Sequence, residues 1–504
     1  MDNGRVLIIG GGLAGLSAGC YARASGFSTT IIEHNLALGG VCQAWSRGRY
    51  TIDGCIHWLT GGPFDQVYRE LGIYPKLSVR TLDLFASYRN LETQTRIELT
   101  RDLEAFKRTL TSVAPEDADE VARLVDAAER FTTMDPGVDQ PPELASLRES
   151  LHRLWEVRSE LPTFVHYRKP FGIWAREHLK SEALRRFFAA LLPADAPAFF
   201  LLMMLGYLGR GWLSRPDGGS GRFRDALIDS YHALGGTEYV HATVDEILVE
   251  RDRARGVRLA DGSLHEADFV ISTSSLPETA LRLLGGRYGA EDVRNKLEHW
   301  KLFDPVALVS FGVSAPLSDV PSTLLLDRVA PFDTGGKQSD RLYLRIFNDD
   351  PSLAPPGHTV VQAVLNSDYG HWATRGTHYS SEKDALALRV LSLLEEQLPA
   401  MRGHVEVTDV ATPLTYWTTA RAWRGAFEGW MPTGSALFTH VHKTLPGLAG
   451  LYMAGQWVEP GGGVPVAVMS GRQVVQMLCA DTERSFELPR FSHSPPAAGR
   501  RPSP

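Results

Sequence analysis

The sequence predicts an α/β protein, a Rossmann-like nucleotide-binding domain carrying an inserted α+β substrate domain. Three observations predict it. The apolar run 6–9 ends in a glycine turn, followed by a helix-like stretch at 13–25 and a second strand at 28–33, which is a β-α-β unit. A glycine-bounded helix at 218–236 leads into alternating segments at 243–250, 255–260 and 268–273, so the chain returns to a sheet far downstream. A third strand-turn-helix pattern, 451–454 and then 464–478, lies near the C-terminus.

The intervening segments read differently. From 102 to 131, and again over 144–161 and 171–192, Leu, Ala and Phe recur at helical spacing among charged residues. Strand-like runs at 306–313, 342–347 and 359–365 precede a helix at 383–398, the pattern of an α+β lobe. The expected division is a discontinuous cofactor domain (1–85, 215–290 and 440–481) and a substrate domain (86–214 and 291–439). The Pro-, Ser- and Arg-rich tail 482–504 is expected to be disordered.

Composition narrows the function classes. The chain has 504 residues, 43% of them apolar, and a formal net charge of −7. That is ordinary globular composition, with no basic run to neutralise phosphates, so nucleic-acid binding is set aside. Cys20, Cys42, Cys55 and Cys479 lack paired spacing, which indicates neither a disulfide framework nor a metal site. No secretory leader precedes the first strand, and the cytoplasm is the expected compartment. The apolar stretch 196–208 is too short to span a bilayer as a helix and leaves two readings, a core helix or a surface that meets a membrane.

The opening turn Gly10-Gly11-Gly12-Leu13-Ala14-Gly15 satisfies GxGxxG at the end of a strand and the start of a helix, the context the motif requires. Gly10 permits the tight turn, Gly12 lets a pyrophosphate approach the backbone, and Gly15 lets the helix pack on the sheet. The helix N-terminus stabilises the anion. Glu33, ending the second strand, is placed to accept hydrogen bonds from an adenosine ribose. The Gly39-Gly40 pair extends the phosphate-facing surface and resembles the glycine doublet of amine-oxidase-like and phytoene-desaturase-like flavoproteins, which implies FAD rather than NAD. Near the C-terminus, Gly455, Gln456, Gly462, Gly463, Val464 and Pro465 form a second glycine-rich turn into a helix, suited to the ribityl chain or pyrimidine ring of a flavin.

Three stretches carry a family resemblance: Gly39-Gly40-Val41-Cys42 continuing to Asp53-Gly54-Cys55-Ile56-His57-Trp58; Gly235-Gly236 with Val244; and Leu451 to Gln456 with Pro460 to Pro465. Together they resemble the FAD-dependent phytoene desaturase, carotene isomerase and retinol saturase group, in its bacterial branch. The resemblance implies an amine-oxidase-like flavoprotein architecture, FAD as cofactor, and Val244 against the adenine. Relatives commonly carry an arginine directly after the doublet, where this chain has Val41; Arg47 and Arg49 are the nearest replacements.

Flavin chemistry needs few protein groups beyond those that orient substrate and exclude water. His57 is the first acid–base candidate, because the resemblance sets its segment close to the flavin; a histidine held in a turn beside Trp58 fits the same residues. Glu459 is a second candidate, against the alternative of an exposed carboxylate. Tyr416, Trp417 and Trp430 would suit an apolar pocket wall, although aromatic clusters are also ordinary core. The implied reaction is redox chemistry at carbon–carbon bonds of an apolar polyene or isoprenoid, free or carrier-bound, with desaturation as the first expectation. Saturation or isomerisation would use the same fold, and a non-catalytic flavin-binding lipid carrier is the alternative of another class.

Overall fold

The computed structural model describes residues 4–491, apart from 75, 133–138, 147, 150–151, 153–154, 156, 435 and 437–438. A five-stranded parallel sheet runs in the order Thr237–Tyr239, Ser28–Ile32, Arg5–Ile9, Phe269–Ser272, Leu451–Met453. Strands from both ends and the middle of the sequence thus become neighbours. The register follows from burial: Val6, Ile8 and Ile31 are enclosed on one face and Leu7, Ile9 and Val270 on the other, as a sheet covered on both sides requires.

The helix Leu13–Ala24 is buried at ten of its twelve positions and packs against the late helix Val464–Asp481. A methyl group on Gly471 would lie 2.6 Å from the Ala14 carbonyl oxygen, and Ser17 Oγ donates to the Val468 carbonyl at 2.7 Å, so the two backbones are in direct contact. A three-stranded antiparallel sheet, Val244–Glu250, Arg253–Leu259 and Leu264–Glu266, flanks this layer.

The second large sheet has seven strands, in the order Val405–Ala411, Val306–Val313, Thr359–Asn366, Gln338–Ile346, Thr323–Asp333, Leu84–Asn90, Arg96–Thr100. Its pairings are antiparallel except for Leu84–Asn90 against Thr323–Asp333. The helix Tyr379–Gln397 covers one face. The expected boundary at residue 85 falls inside the strand Leu84–Asn90, which belongs to this sheet. The helical stretch expected over 102–131 is broken at Pro115 into Leu103–Val113 and Ala118–Phe131. The one expected over 144–161 is only partly described, with 147, 150–151, 153–154 and 156 outside the described residues and the turn Val157–Glu160 near its end. The helices Phe171–His178, Glu182–Leu191 and Phe199–Gly209 complete the lobe.

Residues 482–491 differ from the expected disorder. Phe486 stacks on Tyr21 with centroids 5.6 Å apart, the Glu487 N–H donates to Ser25 Oγ at 3.1 Å, and Phe491 lies over Gly72. Aromatic contact with the first helix holds what composition alone reads as tail; residues 492–504 lie outside the described set. The four cysteines are free, and no helix among the described residues is long and apolar enough to cross a membrane.

Candidate functional site

The opening turn leaves the sheet at the C-terminal ends of its strands, where open α/β sheets bind ligands. Gly15 is required by contact: a methyl group there would lie 2.1 Å from the Gly10 carbonyl oxygen. Gly12 is different, since its only neighbour within 4 Å would be the Gly40 Cα, at 3.8 Å. Space is left over Gly12, with the N-terminus of Leu13–Ala24 beneath it. The carboxylate of Glu33 is buried and accepts from the Gly11 and Asn35 N–H groups at 2.8 and 2.9 Å, with His34 Nδ1 also 2.8 Å away. Burial alone would raise its pKa; these donors outweigh burial and hold it below the ordinary carboxylate value.

The glycine doublet closes onto this turn. The Gly39 N–H donates to the Gly11 carbonyl at 2.8 Å, and a methyl on Gly40 would come within 3.0 Å of the Gly12 Cα. Val41 turns instead into an apolar cluster with Val306 and Tyr416. Neither candidate replacement for the absent arginine lies at the glycines: Arg47 pairs with Asp409 at 2.7 Å and Arg49 with Glu406 at 2.8 Å, both on the second sheet's edge strand. The arginine beside the doublet is Arg224, on the helix Gly219–Ala233. Its Cδ lies 2.5 Å from where a Gly39 methyl would be, and its guanidinium is held by Gln43 and Asp225 at 2.6 and 2.7 Å.

The segment from Asp53 to His57 is clamped between the start of the helix Gly219–Ala233 and the second sheet. Asp53 accepts from the Ser220 N–H and hydroxyl at 2.7 and 2.6 Å, and Ser220 Oγ accepts from the Ile56 N–H at 2.7 Å. From the second sheet, Arg345 donates to the Ile56 carbonyl at 2.9 Å and Gln362 to the Asp53 carbonyl at 2.9 Å. His57 therefore has a fixed backbone. Its ring stacks on Tyr343 at 5.9 Å and has no hydrogen-bond partner among the described residues. Burial, reinforced by the charges of Arg345 and Arg215, pushes its pKa well below the usual histidine value. His57 is thus a neutral imidazole near pH 7, able to accept a proton far less readily than an ordinary histidine.

The C-terminal turn runs from Gly455, whose N–H donates to Ser470 Oγ at 2.7 Å, to Gly463, which precedes Val464 and Pro465 at the start of the last helix. It is held against residues 427–432: Gln456 donates to the Phe427 carbonyl, the Gly461 N–H donates to the Trp430 carbonyl at 3.2 Å, and Gly462 lies on the Glu428 backbone. Phe200, on the apolar helix Phe199–Gly209, approaches Gly461, its Cζ lying 3.6 Å from where a methyl would be. That helix is otherwise enclosed at Leu201, Leu202, Leu205 and Leu208.

Two expectations are corrected here. Glu459 is not a free acid, because its carboxylate pairs at 2.5 Å with the fully buried Lys443. Trp430 is core: it has no exposed surface and is wedged between Trp300 and Trp457. Trp417 packs edge-on against Tyr369 and Trp423, whereas Tyr416 donates to the Gly54 carbonyl at 3.3 Å, inside the clamped segment.

Glu428 escaped sequence reasoning. Its carboxylate is half-buried, has no hydrogen-bond or ion-pair partner among the described residues, and is pushed up to about 7 by burial. Its neighbours Phe427 and Gly429 carry no motif, so the sequence held no signal for it. Val244 begins its strand just after the Ala242 N–H donates to the Glu33 carbonyl at 2.9 Å, which places it beside the acidic end of the second strand. A hollow of about 710 Å³ beside Gly447–Tyr452 opens at the N-terminal end of its strand, the opposite end from the glycine turns, and belongs to neither.

Comparison with known proteins bears on this arrangement. The chain is 24% identical to the lycopene-forming phytoene desaturase of Pseudescherichia vulneris, over 95% of this chain and all of that one. It is also 24% identical to the chloroplastic prolycopene isomerase of Arabidopsis thaliana, over 94% of this chain and 82% of that one. The fold is shared with cyclohexylamine oxidase from Brevibacterium oxydans, with a TM-score of 0.59 at 16% identity over 96% of this chain and all of that one. The model of the flavin containing amine oxidoreductases matches residues 13–479, from the first helix to the last. An agreement of that extent makes the chain a member of the flavin containing amine oxidoreductase family, an oxidoreductase whose cofactor is FAD.

Proposed function

We propose that the chain is an FAD-dependent desaturase of an apolar polyene. The carrying observation is the contact of the chain's most apolar helix, through Phe200, with the C-terminal glycine turn. Substrate carbon held there would lie against hydrocarbon and aromatic surface. The residues fit the cofactor: the space above Gly12, which a Cβ would fill, suits a pyrophosphate, and the Leu13–Ala24 N-terminus with Arg224 supplies the positive field opposite it. Gly10, Leu13, Ala14 and Gly15 shape that turn, Glu33 would take the ribose, Gly39 closes the cradle, and Val244 would face the adenine. Gly455, Gln456, Gly462, Gly463, Val464 and Pro465 would hold the flavin end. Bound FAD supplies a two-electron hydride acceptor. The clamped Asp53–Ile56 backbone orients one wall, with Tyr416 behind it, and His57, neutral and stacked on Tyr343, adds no charge of its own.

A polyene dissolved in lipid has to be collected from it. Leu161 and Val165, one helical turn apart, are more than half exposed, with Trp155 and Ile173 exposed on the adjoining segments. Such a face suits a peripheral membrane contact. The resemblance to a prolycopene isomerase favours a second reading, isomerisation without net oxidation.

Anaerobic incubation of oxidised holoenzyme with phytoene in liposomes separates the two. Desaturation yields one new double bond per flavin reduced. Turnover by photoreduced enzyme alone, with no net electron transfer, would sink the desaturase reading.

A further inference from the structure

We propose that Glu428 is the proton-accepting carboxylate of the flavin chamber, taking the proton from the carbon next to the one that gives up hydride. The assignment rests on the desaturase reading. Three features carry it. First, position: the Glu428 Cα and Cβ lie 3.1 and 2.8 Å from where a Gly462 methyl would be, between the Phe427 and Trp430 carbonyls that accept hydrogen bonds from the same turn. Second, isolation: the half-buried carboxylate has no hydrogen-bond or ion-pair partner among the described residues, so neither oxygen is engaged by another side chain. Third, the other ionisable candidates for the role are taken, and no charged neighbour acts on Glu428 itself. Glu459 is paired with Lys443, Lys301 on the adjoining loop is paired with Asp195 at 2.7 Å, and His57 is held neutral by burial and two arginines. Arg424, four residues back, points into solvent.

The chemistry balances. At a CH–CH bond, one carbon loses hydrogen with its electron pair to FAD, the two-electron oxidant. The neighbouring carbon loses a proton to the carboxylate, the electron pair of that C–H bond becomes the new π bond, and Glu428 becomes a neutral acid. Burial raises its pKa to about 7, which makes the anion a stronger base than an exposed glutamate. Neutralising it also suits an apolar chamber better than leaving a charge there.

The test uses holoenzyme and the variants Glu428→Gln and Glu428→Asp, with FAD affinity and melting temperature as controls for folding. In infrared difference spectra, wild type should show a protonated-carboxyl band that titrates near pH 7 and is absent from Glu428→Gln, a readout independent of turnover. In single-turnover reduction by phytoene, the wild-type rate should rise with pH to a plateau above about 7. The Gln variant should be slower by roughly 100-fold or more, the low end of general-base catalysis, with a flat profile, and Asp should restore part of the rate. Glu428→Gln reducing flavin at the wild-type rate with the wild-type profile overturns the assignment, as does a band that does not titrate. A wild type that leaves the polyene unchanged is a different failure, since it sinks the desaturase reading and the proton transfer with it.

Discussion

Gly12 and Gly15 lie in one turn, yet their replacement should act on different quantities. At Gly15 an alanine methyl would stand 2.1 Å from the Gly10 carbonyl oxygen and 3.3 Å from Ile8 Cγ2. Carbon and oxygen need about 3.2 Å, so the helix must lift off the sheet by roughly 1 Å, an overpacking cost of about 1–3 kcal/mol. At Gly12 the same methyl meets nothing closer than the Gly40 Cα at 3.8 Å, and the backbone, with φ −71°, accommodates alanine. Gly12→Ala should therefore leave the apoprotein's melting temperature unchanged. Its cost appears only when FAD arrives, because the methyl occupies the approach of the pyrophosphate. Losing one charge-assisted hydrogen bond, about 1.5–3 kcal/mol, weakens FAD binding roughly 10- to 150-fold. Calorimetric titration of each apoprotein with FAD, beside its thermal melt, reads both quantities. Gly12→Ala that binds FAD within twofold of wild type, or that melts as early as Gly15→Ala, refutes the account of where the phosphates lie.

Four further outcomes follow from named contacts. Arg224→Leu should weaken FAD binding about tenfold, the value of one charge-assisted hydrogen bond, while Arg47→Leu, which loses only its bonds to Asp409 and the Ser46 carbonyl, leaves the calorimetric affinity unchanged. Phe200→Asp should abolish polyene turnover yet retain the flavin spectrum, since it charges the wall at Gly461 without touching the N-terminal turn. Leu161→Asp with Val165→Asp should lower sedimentation with liposomes, with no loss of FAD. The fourth concerns pH. Burial would raise Glu143, but the hydrogen bond from His440 and the charge of Lys443 bring it down from 4.5 to about 2. A depressed carboxyl contributes stability above its unfolded pKa and loses it as pH falls through the folded value. Urea midpoints of wild type and Glu143→Gln should therefore converge between about pH 4.5 and 2.

The nucleotide turn was legible because its signal is local: strand, glycines, helix and Glu33 occupy one short stretch, and each glycine answers to a neighbour fixed by that stretch. The second sheet was less so. Leu84–Asn90 is buried on both faces and has no alternation to read, and its parallel partner Thr323–Asp333 lies far along the chain. Site residues divide in the same way. Glu459 was visible next to a glycine loop, but its engagement by Lys443 arises from a fold-back that no spacing announces. Arg224 is plain in sequence as a helical arginine; only the docking of that helix on the loop after Glu33 turns it toward Gly39. Trp430 looked like pocket lining because composition cannot tell an aromatic wall from an aromatic wedge.

The contact between the first and last helices has a bearing on biogenesis. Ser17 and Val468, joined by a hydrogen bond, are separated by 451 residues. On the ribosome, the opening strand and helix emerge long before the helix that covers them exists, and they wait with an apolar flank uncovered. If the C-terminal turn holds the flavin, as proposed, the cofactor is enclosed only once that last helix has been made. Chains truncated before the last helix should therefore fail to retain FAD and stay colourless.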